Sequence, residues 1–397
     1  MKGVINFIWN LGDLLRFIRN KTMTTKVMHI GQMIGGLYVY VKNTCSRMPE
    51  TIEYVVVHGV SDNSEPISRK EHVITEYKIP LYRSISLIRD LQCLVKTIKI
   101  IRKEKPNVIH CHSAKGGVIG RLAGLFTGVK TFYTPHAFSF LSTPNKFKFF
   151  IFQLIEQLTR ANSYLLACSN SERQMGITDV HYKDSRSLVW QNAVPDAALL
   201  LSDGFKCEIV ESLKSKRYIS YIGRPCFQKN TEQLVEIVRL VHEEAPDVHF
   251  VLLGIGYYSP RLEEMKKQIE RYNLNDVITL LPWLDQKSTL SVISHSLFYM
   301  SVARYEGLPL SVIEAMSLRK AIIASKVPGN VDCVKDGVNG RLIDINDIRG
   351  FVDAVVSLLQ NEEMRILYGD NSRRIFENNF LLDNRINELK NIYLNVK

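Results

Sequence analysis

Several familiar chemistries are missing from this chain. No run of about 18 or more uncharged apolar residues occurs, which argues against a transmembrane helix. The seven cysteines, at 45, 93, 111, 168, 207, 226 and 333, are odd in number and form no C-x-x-C pair. That excludes a complete disulfide framework, argues against structural zinc, and suits a reducing cytoplasm. The ten histidines form no H-E-x-x-H, and no D-x-D metal motif is evident. Zinc-finger, RRM and KH signatures are also missing, so no nucleic-acid partner is expected. Disorder is excluded by composition, with 46% hydrophobic and 23% charged residues.

What is present is enough chain for two domains. A length of 397 residues exceeds one ordinary core and suits two α/β units of similar size. The net charge of +11, from 51 basic and 40 acidic residues, attracts anionic membranes, phosphorylated ligands or nucleic acid, and by itself does not choose among them. The first 22 residues are unusual. Val4, Ile5, Ile8, Leu11, Leu15 and Ile18 recur at helical spacing, beside Phe7, Trp9, Leu14 and Phe17. Lys2, Arg16, Arg19 and Lys21 add positive charge, and Arg16 inside the apolar stretch argues against a signal peptide. Two readings stand for 1–22: a short interfacial helix, or an extension preceding a true start at Met23.

Apolar runs alternate with amphipathic stretches, the pattern of parallel sheets with crossover helices. Strands are expected at 26–30, 52–57, 107–111, 131–134 and 164–168, with helices at 36–47, 84–104, 117–127 and 145–161. A second series has strands near 218–222, 248–253, 277–281, 297–301 and 321–324, with helices near 230–244, 260–272, 287–294, 309–318 and 347–359. The polar stretch Asp196–Lys216 reads as the linker. The expected division is 23–205, 206–361 and a helical tail over 362–397, broken near 380. Two such domains create a cleft at the carboxyl ends of their strands, where open α/β sheets bind ligands.

Two segments carry chemistry. Tyr221-Ile-Gly-Arg224-Pro-Cys-Phe-Gln-Lys229-Asn230 follows an expected strand and precedes a helix. A guanidinium fork and an ammonium at a helix N-terminus can receive a diphosphate. Arg304-Tyr-Glu306-Gly307-Leu308-Pro309-Leu310-Ser-Val-Ile-Glu314 follows the strand at 297–301. Pro309 suits a helix start, Gly307 allows close ligand approach, and the free N–H groups after it can bind phosphate. Glu306 and Glu314 can accept hydrogen bonds from sugar or ribose hydroxyls. Glu314 stands among apolar neighbours, where an acid needs a polar partner.

This pattern resembles the retaining glycosyltransferases of family 4. Glu306 and Glu314 match that family's E-x-x-x-x-x-x-x-E element, and Arg224 and Lys229 its G-R-x-x-x-x-K pair. Val327-Pro-Gly329-Asn330 and Asp336-Gly337-Val-Asn339-Gly340 resemble it too, and the likeness spans roughly 26–360. It implies the α/β GT-B fold: two Rossmann-like domains with parallel sheets facing across a cleft, the nucleotide on the second. Arg224 and Lys229 would contact the diphosphate, and Glu314 the ribose. Glu306 with the backbone of Gly307, Leu308, Pro309 and Leu310 would meet the donor sugar and its phosphate. Trp283 and Leu284 would lie beside the base.

In the first half, Gly35-Gly36 follows the first strand where the family places a glycine loop. Tyr133-Thr-Pro-His136-Ala-Phe138 resembles the family's histidine segment, with Ala137 where glycine is common. His136 would donate to a donor-sugar hydroxyl. His110 and His112 share one strand face, yet no third ligand is near in sequence, so no metal site is expected. The resemblance implies glycosyl transfer from a nucleotide sugar to an acceptor hydroxyl with retention, no cofactor, no bound metal and no protein base. Arg83, Arg89, Lys96, Lys99, Arg102, Lys103 and Lys105 crowd one expected helix, and 146–152 mixes cations with aromatics. Such segments can lie on an anionic membrane. A lipid-linked saccharide acceptor in surface-polysaccharide synthesis, at the cytoplasmic membrane face, would follow. Two rival readings are another GT-B enzyme, such as a sugar-nucleotide epimerase, and a silent nucleotide-sugar binder. Donor consumption without acceptor separates the first, and the intact charged set argues against the second.

Overall fold

The structure, a computed structural model, describes residues 24–62, 65–69, 72–256 and 259–395. Residues 1–22, with their candidate interfacial helix, lie outside the described residues. The first sheet has seven strands in the order Thr75–Ile79, Ile52–Gly59, Thr25–Ile30, Val108–His112, Lys130–Thr134, Ser163–Ala167, Ser187–Val189. The second has six: Ile278–Pro282, Val248–Ile255, Arg217–Ile222, Tyr299–Ser301, Ile322–Ser325, Gly340–Ile343. Every pair in both is parallel. The central strands are buried on both faces by helices, so their sequences read as continuous apolar runs.

The expected strands are all present, within a residue or two at the ends. Within these two sheets, three strands were not expected: Thr75–Ile79, Ser187–Val189 and Gly340–Ile343. All three are sheet edges. An edge strand has fewer neighbours to bury it and can carry polar residues, so it loses the apolar signature. The short helix Asn170–Thr178 was also unexpected; it is polar outside and capped by Ser169 Oγ, which accepts from the Glu172 N–H at 3.1 Å.

The helix expected at 117–127 begins earlier, at Ser113, and carries Gly116, Gly117, Gly120 and Gly124 on one side. A Cβ at Gly117 would overlap the Tyr133 ring, at Gly120 the Cys111 side chain, and at Gly124 the Thr131 side chain. The bare stripe therefore lets this helix lie flush on two central strands, at the expense of helix propensity.

The last two helices have separate duties. Glu362–Asn379 packs Phe376 beside Val312, Ile313 and Met316 of the helix Leu310–Ser317. The chain then crosses over: the Val194 N–H donates to the Phe380 carbonyl, and the Leu382 N–H to the Val194 carbonyl, both at 3.0 Å. Leu382–Asn395 buries Leu382, Ile386, Leu389 and Tyr393 in the first unit's core, against Tyr40, Tyr54 and Phe132.

The two units meet at the carboxyl ends of their sheets. Asn192 Nδ2 donates to the Leu308 carbonyl at 2.7 Å. The Ser171 N–H donates to Asp332 Oδ1 at 3.1 Å, and the Gly329 N–H to Ser171 Oγ at 3.0 Å. At Gly307 the backbones nearly touch. A Cβ there would sit 2.8 Å from the Ala137 nitrogen and the Cys168 sulfur, and 2.9 Å from the His136 carbonyl carbon.

Two outcomes follow from this packing. Gly307→Ala should force the units apart, costing about 1–3 kcal/mol; a lowered melting midpoint and a changed small-angle scattering profile check it. Leu389→Ala leaves a void in the first core although it lies in the last helix, and should cost about 2–5 kcal/mol in chemical denaturation.

Candidate active site

The second unit supplies most of the charge. The strand Arg217–Ile222 ends at Gly223, and the following turn carries Arg224 and Lys229 to the head of the helix Thr231–Glu244. Arg224 Nη1 is buried and has no hydrogen-bond partner among the described residues. Burial first, and the like charge of Arg83 second, push the guanidinium pKa down. Lys229 Nζ lies 2.6 Å from Glu306 Oε1, while Gln228 Nε2 donates to the other Glu306 oxygen at 3.2 Å. The sequence singled out Lys229 and Glu306 separately, and the fold makes them an ion pair. Gln228 was missed; an amide inside a loop carries no pattern of its own.

Glu306 is also held from behind. Its N–H donates to the Pro328 carbonyl at 3.3 Å, and Gly329 packs so closely that a Cβ would press on the Glu306 backbone. The Val327–Asn330 motif is therefore scaffold: Asn330 Nδ2 donates to the Ser325 carbonyl at 3.0 Å. Asn339 has the same kind of task, accepting from the Lys335 N–H at 2.7 Å. Arg304 likewise points away from the cleft, donating to the Phe227 carbonyl and pairing with Glu232.

Pro309 caps the helix Leu310–Ser317, one place before its expected position inside the first turn. Leu308 is buried at the junction, and Leu310 reaches toward Gly36 and the first unit's core. Glu314 lies deeper in this helix and is 8% exposed. Burial pushes its carboxyl up to about 7, and Gln286 Nε2, 3.4 Å away, opposes this. Gln286 was also missed. Trp283 is 55% exposed and stands over Gly35, whose Cβ position is 3.6 Å from the indole. Leu284 packs on the second unit's core near Val251 and Leu253.

From the first unit come Gly35, Gly36 and His136. Gly35 has φ 62° and precedes the helix Gly36–Arg47. The buried Asp62 holds this loop, accepting from the Met33 N–H at 2.7 Å and the Gly59 N–H at 3.0 Å. His136 and Ala137 both take positive φ, 52° and 79°. Ala137 thus occupies a glycine-type conformation without being glycine. Glu172 Oε1 stabilises it by accepting the Ala137 N–H at 2.7 Å.

The sequence offered no third ligand beside His110 and His112, and the fold supplies one. His29, on the neighbouring strand in register with His110, brings three buried imidazoles within 4.8 Å. Except for His29 Nε2, their nitrogens are nonetheless engaged. Thr134 Oγ1 donates to the Leu166 carbonyl at 2.6 Å, so it accepts from His110 Nε2 at 2.8 Å. His110 Nδ1 then accepts from the Tyr393 hydroxyl at 2.8 Å, which leaves His110 no lone pair for a metal.

The first unit also carries an unusual surface. On the helix Leu87–Glu104, Leu87 is 85% exposed, and Ile88 and Leu91 are exposed beside it. On Lys146–Thr159, Phe147, Phe150 and Leu158 are exposed while Phe149 and Phe152 pack inward. The aromatics of 146–152 are thus divided between core and surface. Among the described residues no helix is long and apolar enough to cross a membrane.

Comparison with known proteins agrees with this geometry. Residues 34–198 match the model of glycosyltransferase family 4, and residues 206–375 that of glycosyl transferases group 1. The chain is 28% identical over 324 residues to the UDP-Gal:alpha-D-GlcNAc-diphosphoundecaprenol alpha-1,3-galactosyltransferase of Escherichia coli, covering 80% of this chain and 82% of that protein. It is 24% identical over 344 residues to the capsular polysaccharide biosynthesis glycosyltransferase CapM of Staphylococcus aureus, covering 85% and 89%. The structure resembles Anabaena HepE in complex with UDP-glucose at a TM-score of 0.74 and 14% identity, over 94% of this chain and all of that one. Two parallel sheets joined in this order form the GT-B fold, and with both halves matched the chain belongs to the glycosyltransferases of family 4 and group 1 type.

Proposed function

We propose that the chain moves a glycosyl unit from a nucleoside-diphosphate sugar to the hydroxyl of a lipid-linked saccharide, with retention, in surface-polysaccharide synthesis. The observation that carries this reading is the buried Arg224 Nη1, unpartnered among the described residues, beside the Lys229–Glu306 pair. A buried guanidinium nitrogen without a partner is unfavourable unless an anion completes it. A diphosphate does so, and the free N–H groups at the head of Leu310–Ser317 add further donors.

In this reading Arg224 and Lys229 neutralise the charge that develops on the leaving diphosphate. Fixed donors of this kind contribute roughly 2–4 kcal/mol each to the transition state. The protein cations take the place of a bound metal, and transfer should persist in EDTA. Lys229 bridges the phosphate to Glu306, which faces the donor sugar. His136 donates to a sugar hydroxyl, Trp283 and Leu284 flank the base, and Glu314 accepts from the ribose diol. The acceptor hydroxyl attacks from the face the diphosphate leaves, its proton passing to the departing phosphate oxygen.

The acceptor side rests on the first unit's surface. Leu87, Ile88, Leu91, Phe147 and Phe150 are exposed among Arg89, Lys96, Lys99, Lys146 and Lys148. Apolar side chains ringed by cations fit an anionic bilayer. The named acceptor of the Escherichia coli relative, a diphosphoundecaprenol, is such a membrane substrate. We place the protein at the cytoplasmic face of that membrane.

Two experiments address these assignments. Ribose hydroxyls donating to Glu314 favour its carboxylate, so nucleoside diphosphate binding should release a proton and tighten as pH rises through about 7. Calorimetry in buffers of differing ionisation heat should show the release. Glu314→Gln should abolish it and weaken binding about ten-fold or more, whereas Glu306→Gln should spare nucleotide affinity and lower turnover. On the acceptor side, anionic vesicles should retain the full chain in sedimentation, and the double change Leu87→Glu with Phe147→Glu should release it without altering nucleoside diphosphate affinity.

A further inference from the structure

Beneath the cleft, three histidines form a line of which the assigned chemistry uses only His136. His29 Nδ1 is 2.8 Å from His112 Nε2, and His112 Nδ1 is 3.1 Å from His136 Nε2. His29 and His112 are fully buried, and only His136 is partly open. Tyr40 packs edge-on against His112 and His136, with ring centroids 5.5 and 5.0 Å away. His110 stands beside the line but outside it, its two nitrogens spent on Thr134 and Tyr393.

Burial holds every ring in the neutral form. His29 is pushed down to about 3, His136 to about 4, and His112 well below the usual imidazole range. Each neutral ring has one N–H and one lone pair. Two hydrogen bonds among three rings then allow only two continuous arrangements. In one, every N–H points toward His136; in the other, every N–H points toward His29.

The far end chooses between them. His29 Nε2 is buried and has no hydrogen-bond partner among the described residues. If the bonds ran toward His29, that atom would be an orphaned buried N–H, which folded proteins rarely tolerate. Running the other way leaves only a bare lone pair there. The favoured direction is His29 Nδ1–H to His112 Nε2, then His112 Nδ1–H to His136 Nε2. His136 must then carry its proton on Nδ1, for which no protein partner exists among the described residues.

We propose that His112 and His29 are positioning residues whose hydrogen-bonded line fixes His136 as the Nδ1–H tautomer, an obligate donor toward the cleft. The use of that donor, on a donor-sugar hydroxyl, rests on the function proposed above. The tautomer itself does not. A ring locked as a donor favours a sugar hydroxyl acting as acceptor there, and rejects donors lacking that oxygen.

Proton–nitrogen correlation spectra of the full chain, labelled at histidine nitrogens, read the tautomer directly. The expected result is His112 and His136 both protonated on Nδ1, with each Nε2 accepting. His112→Phe keeps a ring but removes both nitrogens, and His136 should shift to the Nε2–H form with transfer falling at least about ten-fold. Nucleoside diphosphate affinity should not change. His112→Asn returns an amide donor near the lost Nδ1 and should restore the Nδ1–H tautomer and most of the rate. Should His112→Phe fold poorly, the wild-type spectrum and His112→Asn still decide. An Nε2–H His136 in the wild-type protein, or a tautomer unmoved by His112→Phe, overturns the proposal. A shifted tautomer with unchanged transfer supports the line of histidines and instead overturns the sugar contact assigned to His136.

Discussion

The site depends on one close approach between two backbones, at Gly307. The loop leaving the strand Tyr299–Ser301 comes within van der Waals distance of the His136–Ala137 turn, and only a residue without Cβ allows it. Interior packing is too dense to absorb an extra methyl between two backbones. This contact sets the separation of the sheets. It thereby puts Leu308 under Asn192, Leu310 beside Gly36, and Trp283 over Gly35. The strained φ at Ala137, held by Glu172, serves the same junction from the other side.

Around that junction the protein keeps polar groups in states that water would not choose. Arg224 Nη1 lacks a partner among the described residues, Glu314 is buried with one long hydrogen bond, and Lys229 shares Glu306 with Gln228. The first two are unfavourable for an empty protein, and in the function proposed above donor phosphate and hydroxyls would complete them. In that proposed reaction such preorganisation would reduce the reorganisation needed as charge moves onto the leaving group. The strain and burial that reduce stability here are consistent with the rest of the fold, where deep apolar clusters in both units supply the compensating stabilisation.

Much of the architecture was legible before any coordinates. Central strands of a parallel sheet must be apolar on both faces, so the runs at 26–30, 52–57 and 248–253 announced themselves. Edge strands such as Thr75–Ile79 did not, because half-exposed residues carry no such pattern. The destination of Leu382–Asn395 was also hidden. Its amphipathic spacing shows that one face is buried but not which core receives it; only the crossover at Val194 shows that it belongs to the first unit.

At the site, the chain order alone determined the chemical inventory: Arg224 and Lys229 at one helix start, Glu306 through Glu314 around another, and a histidine after a strand. Those are local relations, fixed by spacing and by where backbone N–H groups are free. The tertiary structure decided the relations between them. It made Lys229 the partner of Glu306 across 77 residues, gave Glu314 its near-neutral carboxyl through burial, and set His29 against His112 from strands 83 residues apart. Hydrogen bonds and desolvation act through space over a few ångströms, and no property of a linear sequence reports which distant residues will share that distance.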